Sequence, residues 1–286
     1  MIKLKFIFLV SVIFILCLID FSATAAKKFE NIIDVESFVN FEKKDTYGFC
    51  DKNWNNYKKI SAKELREIPL SKRNSLSVDG RKNGGISVKG ENRSDILIKA
   101  CIRVWADNKE TANSTLKSIT ISTNPVIEAE NTPEKGWSVS YQVLVPKSTN
   151  LKLTAHNGGV SINNVVGNLE FETKNGGVAL KRVGGNVKGF TKNGGVSVKL
   201  DGNKFNGSGL DVETKNGGIS LSMPSNYSAD IETGTVNGGL RSDFKELKLK
   251  KKGRWYKSKQ ISTSINGGGP KIRVVTKNGG VNIKSN

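Results

Sequence analysis

Apolar and polar positions alternate along most of this chain, and the alternation is phased on one tripeptide. Six positions before Asn157, Asn175, Asn193, Asn216, Asn237 and Asn278 stand Leu151, Leu169, Val187, Leu210, Ile231 and Ile272. Three positions after them stand Val160, Val178, Val196, Ile219, Leu240 and Val281. Ile162, Leu180, Val198, Leu221 and Ile283 lie five positions after, a column that Ser242 breaks. A period of two on both flanks predicts a strand on each side. Between the flanks stands Asn-Gly-Gly, which also begins at Asn83 and Asn266. It reads as a tight turn, because Asn tolerates left-handed backbone and Gly enters it without steric cost.

Two architectures fit such turns. Asn-Gly is a strong hairpin signal, so an antiparallel β meander or sandwich is the alternative. A β-solenoid is preferred because the apolar columns repeat in phase on both flanks, as stacked coils require. From Asn157 the turns recur at steps of 18, 18, 23, 21, 29 and 12 residues, and a step of 18 accommodates two strands and two turns. The inward residues of one coil, such as Leu151, Leu153, Val160, Ile162 and Val165, cannot alone offset the entropy of ordering its backbone, so neighbours must share a core. The expected fold is therefore all-β: a β-solenoid built from Asn-Gly-Gly turn repeats, with a small α/β insertion. Coils about 4.8 Å apart would align the turn asparagines in a column whose amides bond along it.

The position before the Asn is a second column in seven of the copies: Lys82, Lys174, Lys192, Lys215 and Lys277, with His156 and Val236. Lys174, Lys192 and Lys215 would form a positive ridge and are candidate binding residues for an anionic polymer. The competing explanation is that the lysines splay into solvent and discourage aggregation. The lone histidine, His156, is then one more outward residue of this column.

The rest of the chain is organised around the repeat. Residues 26–72 read as an N-terminal cap or linker over the first open edge, with a helical stretch at 62–67. Residues 73–286 form the repetitive β domain, interrupted by an insertion at 91–150 and a basic loop at 244–260. The insertion predicts strands at 96–105, 119–122 and 138–145, and a helix at 108–117 behind Asp107 as N-cap. In the basic loop Lys250, Lys251, Lys252 and Arg254 adjoin Trp255 and Tyr256, a second candidate patch for anionic glycans or headgroups. A solvated hairpin is the alternative.

Residues 1–25 read as a signal peptide: Lys3 and Lys5, an apolar run from Phe6 to Leu16 broken only by Ser11, and Ala23-Thr24-Ala25 as a small-x-small cleavage site. The chain is thus expected to be extracytoplasmic, in the periplasm, at the cell surface or secreted. Its formal net charge of +19 favours anionic partners: a glycan, an envelope polymer or a membrane surface. Export makes nucleic acid the least favoured of the anionic partners, and a protein partner stays open. In an oxidising compartment Cys50 and Cys101 can form a disulfide, two free thiols being the alternative. Alternation places Cys101 opposite the face of Ile96, Ile98, Ala100, Ile102 and Val104, beside Lys99 and Arg103, where it is expected to be accessible.

Catalytic chemistry finds little support. One His and two widely separated cysteines give no zinc spacing, and there is no nucleophile elbow or phosphate loop. No metal or cofactor is expected. Asp201, Asp211, Glu213, Asp230 and Glu232 could serve a polysaccharide hydrolase or lyase by residue type. Glu172, Glu213 and Glu232 instead suggest a surface column.

The series Trp137-Ser138-Val139-Ser140-Tyr141, Val145-Pro146 and His156-Asn157-Gly158-Gly159-Val160, followed by repeated Thr-Lys-Asn-Gly-Gly-Val, resembles the bacterial putative-adhesin family. Gly209-Leu210-Asp211-Val212-Glu213-Thr214 and Met223-Pro224-Ser225-Asn226-Tyr227 extend the resemblance, which covers about residues 64–286. It implies an exported repetitive β-solenoid of the envelope or surface, also filed as a domain of unknown function, with no known catalysis. The functional expectation is a non-catalytic adhesin-like or cell-envelope structural protein presenting a basic surface. The alternatives are a carbohydrate-active enzyme on a β-solenoid and an architectural protein-binding scaffold.

Overall fold

The computed structural model describes residues 48–50, 62–248 and 259–286. Contacts divide the chain into Met1–Lys52 and Asn53–Asn286, and the elements below belong to the second unit. The expected signal peptide at 1–25, most of the expected N-terminal cap and the patch from Lys250 to Tyr256 lie outside the described residues.

In chain order the strands begin with β1 (Ala62–Ser71), β2 (Ser75–Asp79), β3 (Ile86–Glu91) and β4 (Asp95–Val104). Helix α1 (Lys109–Ser118), β5 (Thr120–Ser122), β6 (Glu128–Glu130) and β7 (Trp137–Pro146) follow. The regular coils are β8 (Asn150–Ala155) with β9 (Val160–Asn163), β10 (Val166–Asn175) with β11 (Val178–Lys181), and β12 (Gly184–Asn193) with β13 (Val196–Lys199). Next come β14 (Gly207–Asn216) with β15 (Ile219–Met223), and β16 (Ala229–Asn237) with β17 (Leu240–Ser242). The chain closes with β18 (Lys259–Ile265), β19 (Lys271–Asn278) and β20 (Val281–Ser285).

Each coil gives its strand before Asn-Gly-Gly to one sheet and its strand after it to another. The eight-stranded sheet runs β18-β16-β19-β14-β12-β10-β8-β2, and the ten-stranded sheet runs β1-β4-β7-β3-β9-β11-β13-β15-β20-β17. Pairing between coils is parallel and in register: Leu169 lies opposite Leu151 and Val187, and Val178 opposite Val160 and Val196. This is the stacked-coil architecture. The antiparallel meander fails because the turn joins strands of two different sheets. The apolar columns meet between the sheets, where Leu169, Val187, Ile162 and Leu221 are fully buried.

Coil order in space departs from coil order in sequence. The last coil, β19 and β20, inserts between β14/β15 and β16/β17, with β19 parallel to both neighbours. β18 folds back antiparallel on the other side of β16. Every coil carries the same apolar phase, so the columns are satisfied by either order and the sequence pattern cannot distinguish them.

The first coil is also in register, although its spacing differs. Leu76 pairs with Leu151, yet it stands seven positions before Asn83 rather than six. The extra residue is absorbed in the turn at Gly80–Lys82. Arg81 takes φ 52° there, and its N–H donates to Asp79 Oδ1 at 2.7 Å.

The helix expected at 62–67 is strand β1 instead, antiparallel to β4 with Ile68 opposite Ile98 and Leu70 opposite Ile96. Strand pairing and the period-two burial of Ile68 and Leu70 override the local helix propensity. The described cap at this end is the insertion. Ala112 of α1, Ile119, Ile127 and Ala129 are buried in the common core, and the Arg66 guanidinium donates to the carbonyls of Leu116 and Ile119. The N-cap of α1 is Asn108, whose Oδ1 accepts from Thr111 N–H at 2.7 Å, rather than Asp107. At the other end β17 has only three residues, and buried Phe244 and Leu247 close over the core.

Cys50 and Cys101 are each disulfide-bonded. Cys101 occupies the β4 face opposite Ile98 and Ile102, as alternation requires, but it is 0 % exposed. The expected accessibility is therefore wrong: both faces of β4 are covered at this point.

Candidate functional site

The site is built on the turn. Its asparagines form one continuous amide ladder in spatial order. Asn157 Nδ2 donates to Asn83 Oδ1 at 3.0 Å, Asn175 to Asn157 at 2.8 Å, and Asn193 to Asn175 at 2.7 Å. Asn216 donates to Asn193 at 2.8 Å, Asn278 to Asn216 at 2.7 Å, and Asn237 to Asn278 at 2.7 Å. Asn266 stands apart, with its Nδ2 donating to the carbonyls of Ser225 and Tyr227.

The reason for Asn-Gly-Gly differs from the expected one. No ladder asparagine has positive φ; only Asn266 among the turn asparagines does, at 47°. The first glycine is needed for close approach between coils. A Cβ at Gly176 would sit 2.1 Å from Gly158 O, and one at Gly194 2.1 Å from Gly176 O. In five coils a buried threonine two positions before the Asn completes the turn. Thr173 Oγ1 donates to Gly158 O at 2.7 Å, while Thr191, Thr214, Thr276 and Thr235 repeat the bond at 2.8 Å to the corresponding glycines. The sequence reading missed this column, although Thr recurs at that position in five copies.

The ladder sets the spacing of the lysines beside it. In spatial order the column reads Lys82, His156, Lys174, Lys192, Lys215, Lys277 and Val236, all exposed. The sheet spacing of about 4.8 Å separates successive members. Among the described residues none of these five lysines is in an ion pair.

The lysines continue onto the outer face of the eight-stranded sheet. On β12 the outward residues are Lys188, Phe190 and Lys192; β10 places Glu170, Glu172 and Lys174 beside them, and β14 places Asp211, Glu213 and Lys215. One row therefore alternates in sign across the sheet: Lys152, Glu170, Lys188, Asp211, Arg273, Glu232. The next row carries Glu172, Phe190 and Glu213. Glu232 thus does not share a column with Glu172 and Glu213, because it stands five positions before its Asn and they stand three before theirs. A shallow depression of about 400 Å³ opens here around Phe190. Beneath it, Phe171 fills the core space left by Gly189, where a Cβ would meet the Phe171 ring at 2.0 Å.

The expected catalytic carboxylates are mostly tied up. Arg273 binds Asp211 at 2.7 Å, Glu213 at 3.3 Å and Glu232 at 3.1 Å. Lys271 holds the other Glu232 oxygen at 2.6 Å, and its hydrogen bond keeps that carboxyl below the usual range. Such a group is poorly suited to act as the protonated acid of a glycosidase. Asp230 accepts from Ser264 Oγ at 2.6 Å, and Asp201 lies 4.0 Å from Arg182. Among the described residues no cluster of His, Cys, Asp and Glu could hold a metal ion, and no helix is long and apolar enough to cross a membrane.

Comparison with known proteins finds similar solved structures and a family model. A putative cell adhesion protein from Clostridium sporogenes ATCC 15579 shares 14% identity over 79% of this chain and 99% of its own, with a TM-score of 0.42. A putative adhesin from Bacteroides fragilis NCTC 9343 shares 12% identity over 79% of this chain and 97% of its own, with a TM-score of 0.41. A putative lipid binding protein from Parabacteroides distasonis ATCC 8503 shares 11% identity over 79% and 98%, with a TM-score of 0.29. A search of curated proteins finds no match. The family model described as Toastrack DUF4097 matches residues 52–284, and by that match over most of its length this chain belongs to the Toastrack DUF4097 family.

Proposed function

We propose that this chain is an extracytoplasmic, non-catalytic adhesin-like or envelope-structural protein that binds an anionic glycan or envelope polymer along its lysine row. One observation carries the reading. The amide ladder holds Lys174, Lys192, Lys215 and Lys277 on four successive strands, and no carboxylate neutralises them among the described residues. Like charges so placed repel one another, and a linear polyanion laid across the strands relieves that repulsion at several points together. Net charge of +19 adds long-range attraction of the same sign.

The test is binding of polygalacturonate to the mature chain over a range of salt. Counterion release makes log affinity fall linearly with log salt, with a slope that counts the neutralised contacts. Lys192→Gln and Lys215→Gln together are expected to reduce that slope by about 2. Affinity that is flat with salt, or a slope unchanged in the double variant, would remove the lysine row from the proposal.

A further inference from the structure

The lysine row accounts for charge but not for the aromatic residue beside it. Phe190 is outward on β12, midway between Lys188 and Lys192, and only half-buried. Residues two apart on a strand are separated by about 7 Å, so one substituent-bearing ring can reach from Phe190 to the lysine row. On the neighbouring strands Glu172 and Glu213 lie directly opposite Phe190. They flank it with carboxylate oxygens, one side held by Arg273. Phe190, Glu172 and Glu213 line one side of a depression of about 400 Å³ that extends over Glu170, Lys188, Asp211 and Arg273, with the lysine row just outside it; it has room for one or two monosaccharide units.

We infer that Phe190 is a sugar-ring platform, so that the polymer held by the lysine row is a carbohydrate bearing one acidic group on a pyranose. This rests on the proposed function and names its ligand class. The chemistry divides between two adjacent rows. The apolar C–H face of a pyranose covers the Phe190 ring, removing apolar surface from water. Ring hydroxyls donate to Glu172 and Glu213, which as carboxylates only accept. The acidic substituent turns towards Lys192 and its neighbours Lys174 and Lys215. Carboxylates beside the platform disfavour a chain whose charge is spread evenly along it, such as polyphosphate, and favour one whose charge is confined to one edge.

The experiment measures two probes, an oligogalacturonate of defined length and inorganic polyphosphate, against wild type, Phe190→Ala, Phe190→Trp and Lys192→Gln. Phe190→Ala is expected to weaken oligogalacturonate binding about tenfold, without altering the salt slope and without weakening polyphosphate binding. Phe190→Trp retains the platform and is expected to restore the oligogalacturonate affinity. Lys192→Gln is expected to weaken both probes and reduce the slope. Because Phe190 points outward, thermal unfolding of the variants checks that the fold is unchanged. If Phe190→Ala leaves oligogalacturonate binding intact, or weakens polyphosphate equally, the platform is overturned while the lysine row stands. If wild type binds neither probe, the anionic-polymer reading fails, and the platform fails with it.

Discussion

The amide ladder makes a quantitative prediction, because its members differ only in how many bonds they make. Asn193 is interior: it donates to Asn175 Oδ1 at 2.7 Å and accepts from Asn216 Nδ2 at 2.8 Å. Asn237 is terminal among the described residues and makes one ladder bond, to Asn278 at 2.7 Å. A side-chain hydrogen bond contributes about 1 kcal/mol net, since water replaces the lost partner. Asn193→Ala therefore removes about 2 kcal/mol, and Asn237→Ala about 1 kcal/mol. Both asparagines are exposed, so neither truncation leaves a cavity and neither orphaned amide is sealed from solvent. Urea unfolding followed by circular dichroism measures the difference as a shift in midpoint at constant m-value. Constancy of m matters, because stacked repeats can lose cooperativity. Equal losses at the two positions, or no loss at Asn193, would refute the view that the ladder contributes bond by bond.

Four further outcomes are expected. Gly176→Ala places a methyl 2.1 Å from Gly158 O and 2.8 Å from Gly159 N, both backbone atoms of the neighbouring coil; a loss above about 3 kcal/mol, or failure to fold, is expected by the same unfolding assay, whereas Gly239→Ala, with no atom within 4 Å of its Cβ, should be mild. Tyr141 Oη is buried without a hydrogen-bond partner among the described residues, and burial pushes its phenol above the ordinary value; Tyr141→Phe should leave stability unchanged or raise it by about 1 kcal/mol. The Glu232 carboxyl is depressed by Lys271 and then Arg273, so its contribution is present above the unfolded Glu value near about 4.3 and is lost as pH falls through the lower folded value. Lys271→Gln should flatten that acid limb of a stability–pH curve while leaving the shape above pH about 6 unchanged. Non-reducing peptide mapping is expected to join Cys50 to Cys101, and reduction of such a link should cost about 4 kcal/mol in the chain-entropy treatment.

Much of the coil was legible in the sequence, because a column of identical roles repeats the same residue types. The apolar positions around Asn157, Asn175 and Asn193 gave strand, turn and phase without reference to any partner. The Asn column was expected and occurs. What was misassigned depended on neighbours distant in the chain. The stretch at 62–67 has helical propensity, but β4 offers a partner for β1 and the pairing wins. Cys101 alternates outward, yet its burial depends on what covers that face. Leu76 stands seven positions before its Asn rather than six, and only the left-handed turn at Arg81 brings it into the column.

The candidate site divides in the same way. Lys174, Lys192 and Lys215 were recognisable from their fixed place before the turn. Phe190 could be placed outward from its spacing to Val187 and Lys192, but no other copy has an aromatic residue at that position, so no column drew attention to it. The sequence by itself determined the repeating unit: its strands, its turn, its apolar phase and its charge. Only the tertiary structure decided the order in which units stack. It moved Arg273 between Asp211 and Glu232 by inserting the last coil ahead of its predecessor, and so closed an ion-pair network that no local spacing predicts. The physical reason is degeneracy: equivalent columns are satisfied by more than one order of coils, and the choice rests on edges, connections and outward side chains that the repeat does not encode.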